Sequence, residues 1–131
     1  MSLSPRELLV GSVVSYQGKP CIVKGLSQYI MLKGYKEWIG GSQMEGELIS
    51  PAWMEQLGFE KHSNSNEFWN HWVLPNGWHI SEWLQDNKVA GFEEKGVCYW
   101  GECFVPVKYI HQLQILYFSV AAQHLKVPKL K

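Results

Sequence analysis

Nowhere in the chain does an apolar run approach the ~20 residues that a bilayer-spanning helix needs, so no membrane contact is expected. The opening also lacks the form of a secretory leader, because Leu3 to Val14 is interrupted by Pro5, Arg6, Glu7 and Gly11. Cysteine is scarce. Cys21, Cys98 and Cys103 are odd in number and show no Cys-x-x-Cys spacing, which argues against a disulfide framework and against a structural zinc site. Free thiols suit a reducing compartment, and a cytoplasmic location is the expectation. An excess of either charge is missing too, with 12 Lys and Arg against 12 Asp and Glu. A dedicated duplex binder gains affinity by neutralising phosphates and usually carries a basic surplus, so neutrality weighs against that class. The nearest thing to a basic patch, Lys126, Lys129 and Lys131, reads as a solvated tail. Charged residues are 18% of the chain, below the usual quarter, the reverse of what disorder requires.

What the chain does contain is apolar and aromatic. Apolar residues are 46% of 131, enough for one domain or for two small lobes sharing a core. Seven Trp, six Tyr and five Phe supply core volume, and the same residue types are enriched at recognition surfaces.

The first fifty residues read as short strands separated by glycine turns. Ser12 to Tyr16 carries Val13 and Val14, Gln17-Gly18-Lys19 is a turn, and Cys21 to Leu26 and Tyr29 to Leu32 follow. This pattern predicts a small SH3-like or barrel-like lobe over residues 1–49. Ser50-Pro51 starts a helix that Gly58 stops, with Trp53, Met54 and Leu57 on one face. The middle is β-rich, and its clearest turn is Leu74-Pro75-Asn76-Gly77-Trp78. A two-residue Asn76-Gly77 turn would pair Pro75 with Trp78 and mix polarity on both faces. A type I turn led by Pro75, with Gly77 as a left-handed bulge, pairs Leu74 with Trp78, Trp72 with Ile80 and Phe68 with Leu84 on one face, interrupted by the Asn70–Glu82 pair. The opposite face then carries Trp69 against Trp83, His71 against Ser81 and Val73 against His79. The second register is preferred because it segregates polarity and suits Pro75. Further strands are expected over 88–93 and 97–104, giving a four-stranded antiparallel meander. A last helix over 107–124, with Tyr109, Ile110, Leu113, Leu116, Tyr117 and Val120 at helical spacing, is expected to cover that sheet. The fold class is therefore α+β: residues 1–49 a small β lobe, and residues 50–131 a helix, an antiparallel sheet and a C-terminal helix, the two packed as one compact unit.

Three segments carry a resemblance: the Val10-Gly11 start, Glu47-Leu48-Ile49-Ser50-Pro51-Ala52-Trp53-Met54-Glu55-Gln56-Leu57-Gly58-Phe59-Glu60, and Tyr109-Ile110-His111-Gln112-Leu113-Gln114-Ile115-Leu116-Tyr117-Phe118. Together they resemble a group of small uncharacterised proteins of Bacteroides-type gut bacteria and their phages or mobile elements, over about half the chain. The last helix departs from that group's acidic Gly-Glu-Glu-type ending, having Ala122-Gln123-His124 instead. The resemblance transfers no catalytic residue, and it implies a mobile-element setting and an accessory or partner-binding role.

No catalytic constellation emerges. His71 and His79, diagonal neighbours in the preferred register, would place two imidazoles beside Trp69 and Trp83. Two ligands fall short of the three or four that zinc needs, and Cys98 or His62 would have to complete the set. A half-buried sheet face is the plain alternative to an aromatic ligand-binding surface made by these four residues. The cysteines read as small buried hydrophobes. His111 reads as a hydrogen-bonded helix residue, since no carboxylate is placed to orient it. Gly34 and Gly40-Gly41 lack the Lys-Ser/Thr of a phosphate loop. The expectation is a non-enzymatic binding or accessory protein with a protein partner, no cofactor and no metal. The alternatives are a nucleic-acid module that stacks bases on exposed aromatics, and a small His/Cys enzyme.

Overall fold

The structure, a computed structural model, describes residues 3–85, 95–102 and 104–128. The strand expected over 88–93, the Asp86-Asn87 turn before it, Cys103, Lys129 and Lys131 lie outside the described residues. The fold is α+β, with two antiparallel sheets, one of them a curled half-barrel. Two compact units divide the chain. The first runs to Leu48 and resumes over Tyr109–Leu125, and the second comprises Ile49–Lys108 with Lys126–Pro128.

In the first unit, β1 (Val13–Tyr16), β2 (Lys19–Leu26), β3 (Ile30–Leu32), β4 (Trp38–Ile39) and β5 (Met44–Gly46) form a sheet in the order β4-β3-β2-β1-β5. The β1–β2 turn falls at Gln17-Gly18, as expected, and pairs Tyr16 with Lys19. Both turn residues have positive φ (52° and 78°), the geometry that matches the twist of a two-residue hairpin. Curvature enters at Gly25, where the β2–β3 register shifts. Val14, Val23, Ile30 and Leu32 are fully buried in the core, each worth roughly 1.5–3 kcal/mol of transfer from water.

The C-terminal helix, α2 (Ile110–Ala121), belongs to this unit and packs on β1. This departs from the expectation that it covers the meander. Its apolar stripe specified a buried face without specifying a destination, and on β1 that face is joined by Gln114. The Gln114 amide is buried. Its Oε1 accepts from the Val13 N–H at 2.8 Å, and its Nε2 donates to the Gly11 carbonyl at 2.9 Å. The Val13 N–H, which would otherwise be buried unpaired, is met in this way. The helix starts later than expected because Val105–Val107 is a strand. Leu116 is only half-buried and Val120 is exposed, while His111 is buried.

In the second unit, α1 (Pro51–Gln56) is capped by Ser50, whose Oγ accepts from the Trp53 N–H, and Gly58 (φ 94°) ends it. Trp53, Met54 and Leu57 are buried, as their spacing predicts. The sheet is a five-stranded meander, β10-β9-β8-β7-β6, made of β6 (Glu60–Lys61), β7 (Trp69–Val73), β8 (His79–Trp83), β9 (Cys98–Trp100) and β10 (Val105–Val107). Pro106 is tolerated because β10 lies at the sheet edge. The β7–β8 hairpin adopts the preferred register: Trp69 with Trp83, Asn70 with Glu82, His71 with Ser81, Trp72 with Ile80, Val73 with His79. Gly77 (φ 91°) donates to the Leu74 carbonyl, and Leu74 N–H donates to Trp78. Trp72, Leu74, Ile80 and Glu82 are buried on one face. The Glu82 carboxylate is satisfied there by Trp72 Nε1 at 3.0 Å and Asn70 Nδ2 at 3.2 Å.

Candidate functional site

The opposite face of the hairpin is graded from aromatic to polar. At one end Trp83 is buried, with Val97 and Tyr99 around it and Trp69 packed against them. Trp69 and Trp83 meet edge to face at 4.9 Å, and Trp69 meets Tyr99 at 6.1 Å. Two exposed rings border this floor. Phe104 stacks on Trp69 (6.4 Å, 20°), and Phe68, expected on the apolar face opposite Leu84, lies before β7 and stacks instead on Trp83 (6.3 Å, 22°). About half the surface of each remains open, 51% for Phe104 and 47% for Phe68. Phe104 is held at φ 51°, in the left-handed region, where a bulky residue costs about 1–2 kcal/mol. Its amide donates to the Gly101 carbonyl, and Gly101 also has positive φ (78°). A strained, solvent-exposed aromatic is what a binding surface retains at some expense of stability.

The other end is imidazole-rich. His71 is half-buried, and its Nδ1 lies 2.7 Å from the Ser81 hydroxyl. His79 is exposed, with Nδ1 3.4 Å from the Gly77 carbonyl. His62 follows β6, and its N–H donates to the His71 carbonyl at 2.7 Å. Burial, then the neighbouring His62 and His79, pull His71 below the ordinary imidazole range. An open cleft of about 380 Å³ lies beside this end, lined by Glu60, Lys61, His62, Ser63, Val73, Leu74 and Pro75.

Of the four residues singled out from the sequence, Trp69, His71 and His79 reach the surface, whereas Trp83 is 3% exposed and supports the others from below. The hairpin register brings the four onto one face. His62 and Phe104 join them without having been singled out as binding residues. The strand before His62 is only two residues long, too short to show periodicity, and the weight of Phe104 rests on its backbone angle.

Catalytic chemistry finds little support here. The Ser81–His71 contact pairs a hydroxyl with an imidazole, but among the described residues no carboxylate orients that ring. Among the described residues, no group of three or more His, Cys, Asp or Glu is placed to hold a metal ion. Cys21 and Cys98 are buried, and burial pushes both thiols up, away from the reactive thiolate.

His111, in the first unit, is 1% exposed, and among the described residues neither ring nitrogen has a hydrogen-bond partner. Burial lowers its pKa, against a smaller opposing pull from Glu7. The ring stacks with Tyr109 (5.8 Å, 16°). It is a packed neutral imidazole, not the hydrogen-bonded helix residue that the sequence led us to expect.

Comparison of the chain with family models, with curated proteins and with solved structures returned no match.

Proposed function

We propose that the chain is a non-enzymatic binding module that docks a protein partner on the aromatic–histidine face of its second sheet. The observation that carries this reading is Phe104, exposed, strained and stacked on Trp69 beside the exposed Phe68. Rigid aromatic area of this kind dominates protein interfaces, because two χ angles present a large contact surface. The balanced charge of the chain favours a protein partner over nucleic acid, whose phosphates reward a basic surplus. The resemblance of the Glu47–Glu60 and Tyr109–Phe118 segments to small phage and mobile-element proteins supports an accessory role in that setting.

The test is capture of partners by tagged protein from a lysate of cells that naturally carry the gene, with and without nuclease. A stoichiometric protein that survives nuclease, and is lost when Phe68 and Phe104 are both changed to Ser, is the expected result. Recovery that disappears with nuclease would favour the base-stacking alternative, in which the same exposed rings hold single-stranded nucleic acid.

A further inference from the structure

The charge of the chain balances only as a whole. Residues 8–36 hold Lys19, Lys24, Lys33 and Lys36 and no Asp or Glu. All four lysines are exposed. Much of this stretch forms β2 and β3, where alternation sorts the side chains. Ile30 and Leu32 are buried in the half-barrel core, so Met31 faces outward. The ladder runs past both ends of β3: the Lys33 N–H donates to the Ile22 carbonyl at 2.8 Å, and the Tyr29 carbonyl accepts from the Ser27 N–H at 2.9 Å. Tyr29, Met31 and Lys33 therefore share the outer face, successive residues about 6–7 Å apart. Strand β4 adds Trp38, paired with Met31, while Ile39 turns into the core.

Trp38 is placed by what β2 lacks. Gly25 pairs with Met31 from the other side, and a Cβ there would lie 3.3 Å from Trp38 Cη2 and 3.7 Å from Trp38 Cζ3. The indole thus reaches across β3 and rests over Gly25, and half of its surface (50%) stays open. Tyr29 is 49% exposed. Lys24, the extra residue of the β2 bulge, adjoins Gly25. Glu37 is the nearest acidic residue to Trp38 in the sequence, and Glu45 lies on β5, at the opposite edge of the sheet.

These residue types discriminate between occupants. Lysine is depleted at protein interfaces, whereas phosphates reward it. An open aromatic ring accepts any base through its π-face. A duplex keeps those faces stacked within itself, and a single strand presents them. We propose that the outer face of β2, β3 and β4 is a platform for single-stranded nucleic acid, with bases stacking on Trp38 and Tyr29 and phosphates held by Lys24 and Lys33. The platform belongs to the first unit and does not depend on the protein-docking face of the second sheet.

The test is fluorescence anisotropy of a labelled single-stranded oligothymidylate of about 12 nucleotides, titrated with the full chain. Two phosphate contacts predict that the logarithm of the association constant falls with the logarithm of salt concentration at a slope of about −1.4. Trp38→Leu should weaken binding about tenfold and leave that slope in place. Lys24→Gln with Lys33→Gln, two exposed positions whose change leaves the core intact, should weaken binding and flatten the slope. Glu37→Gln should tighten binding, and Phe104→Asn should leave it unchanged. No binding at about 50 mM salt, a duplex bound as tightly as the single strand, or an affinity indifferent to either Trp38→Leu or the double lysine change would overturn the proposal. Binding lost in Phe104→Asn and kept in Trp38→Leu would assign the nucleic acid to the second sheet and overturn it as well. Loss of a captured protein partner in Phe104→Asn bears on the docking face alone, so the two readings fail separately.

Discussion

His111 is the residue whose chemistry is least at ease with its surroundings. An imidazole buried with both nitrogens unpaired forgoes hydrogen bonds it would have in water, at a cost of about 1–3 kcal/mol. His111→Leu is therefore expected to raise the urea midpoint at pH 7.5 by an amount equivalent to about 1 kcal/mol. Burial holds the folded pKa below the ordinary value of 6.5. Above 6.5 both folded and unfolded states are neutral at this site, and its contribution is fully present. As pH falls below 6.5 the unfolded chain binds a proton that the folded chain refuses, so stability declines until pH reaches the folded value. His71 is shifted the same way and adds to the same trend. Denaturation at pH 7.5 and 5.5 should show a lower midpoint in acid, with part of the drop removed by His111→Leu. A midpoint that rises on acidification would contradict this. Gly46 makes the same neighbourhood sterically tight, since an added Cβ would lie 2.5 Å from Tyr109 Cδ1 and 3.1 Å from His111 Cε1. Gly46→Ala should cost about 1–3 kcal/mol by overpacking, measurable in the same experiment.

At the scale of elements, the β7–β8 hairpin was the most legible part of the chain. Pro75 and Gly77 dictate the turn, and only one register segregates the apolar side chains of two five-residue strands. The Asn70–Glu82 pair, which interrupted that apolar face on paper, is resolved by the Trp72 indole, which donates to the carboxylate. Glu82→Gln keeps an acceptor and should be nearly neutral. Glu82→Leu leaves the buried indole N–H unpaired and should cost about 1–3 kcal/mol in thermal or chemical denaturation. Helix α1 was equally legible, because its cap and stop are single residues, Ser50 and Gly58. Helix α2 was legible as a helix and not as a neighbour. Periodicity names a buried face, but the two hydrogen bonds of Gln114 to β1 and the turn before it depend on contacts over a hundred residues apart. The loop ending at Phe104 gave no signal at all, because left-handed backbone at a phenylalanine runs against local preference.

For the molecule as a whole, the chain leaves the first unit at Leu48 and returns to it at Tyr109, and those two residues are bridged. The main stretch of the second unit, Ile49–Lys108, is itself closed by a hydrogen bond from the Ile49 N–H to the Lys108 carbonyl at 3.1 Å. Among the described residues no helix is long and apolar enough to cross a membrane. The central claim is that the aromatic–histidine face of the second sheet binds a protein, and Phe104 separates binding from stability. Phe104→Asn puts a residue that tolerates left-handed backbone where Phe is strained, while removing the stack on Trp69, so stability should stay within about 1 kcal/mol of the parent. The most direct measurement is the dissociation constant of the captured partner for the parent chain and for Phe104→Asn, with the unfolding midpoint of each. The account predicts at least about a tenfold weakening, typical of a hot-spot aromatic, at an essentially unchanged midpoint. An unchanged dissociation constant would contradict it.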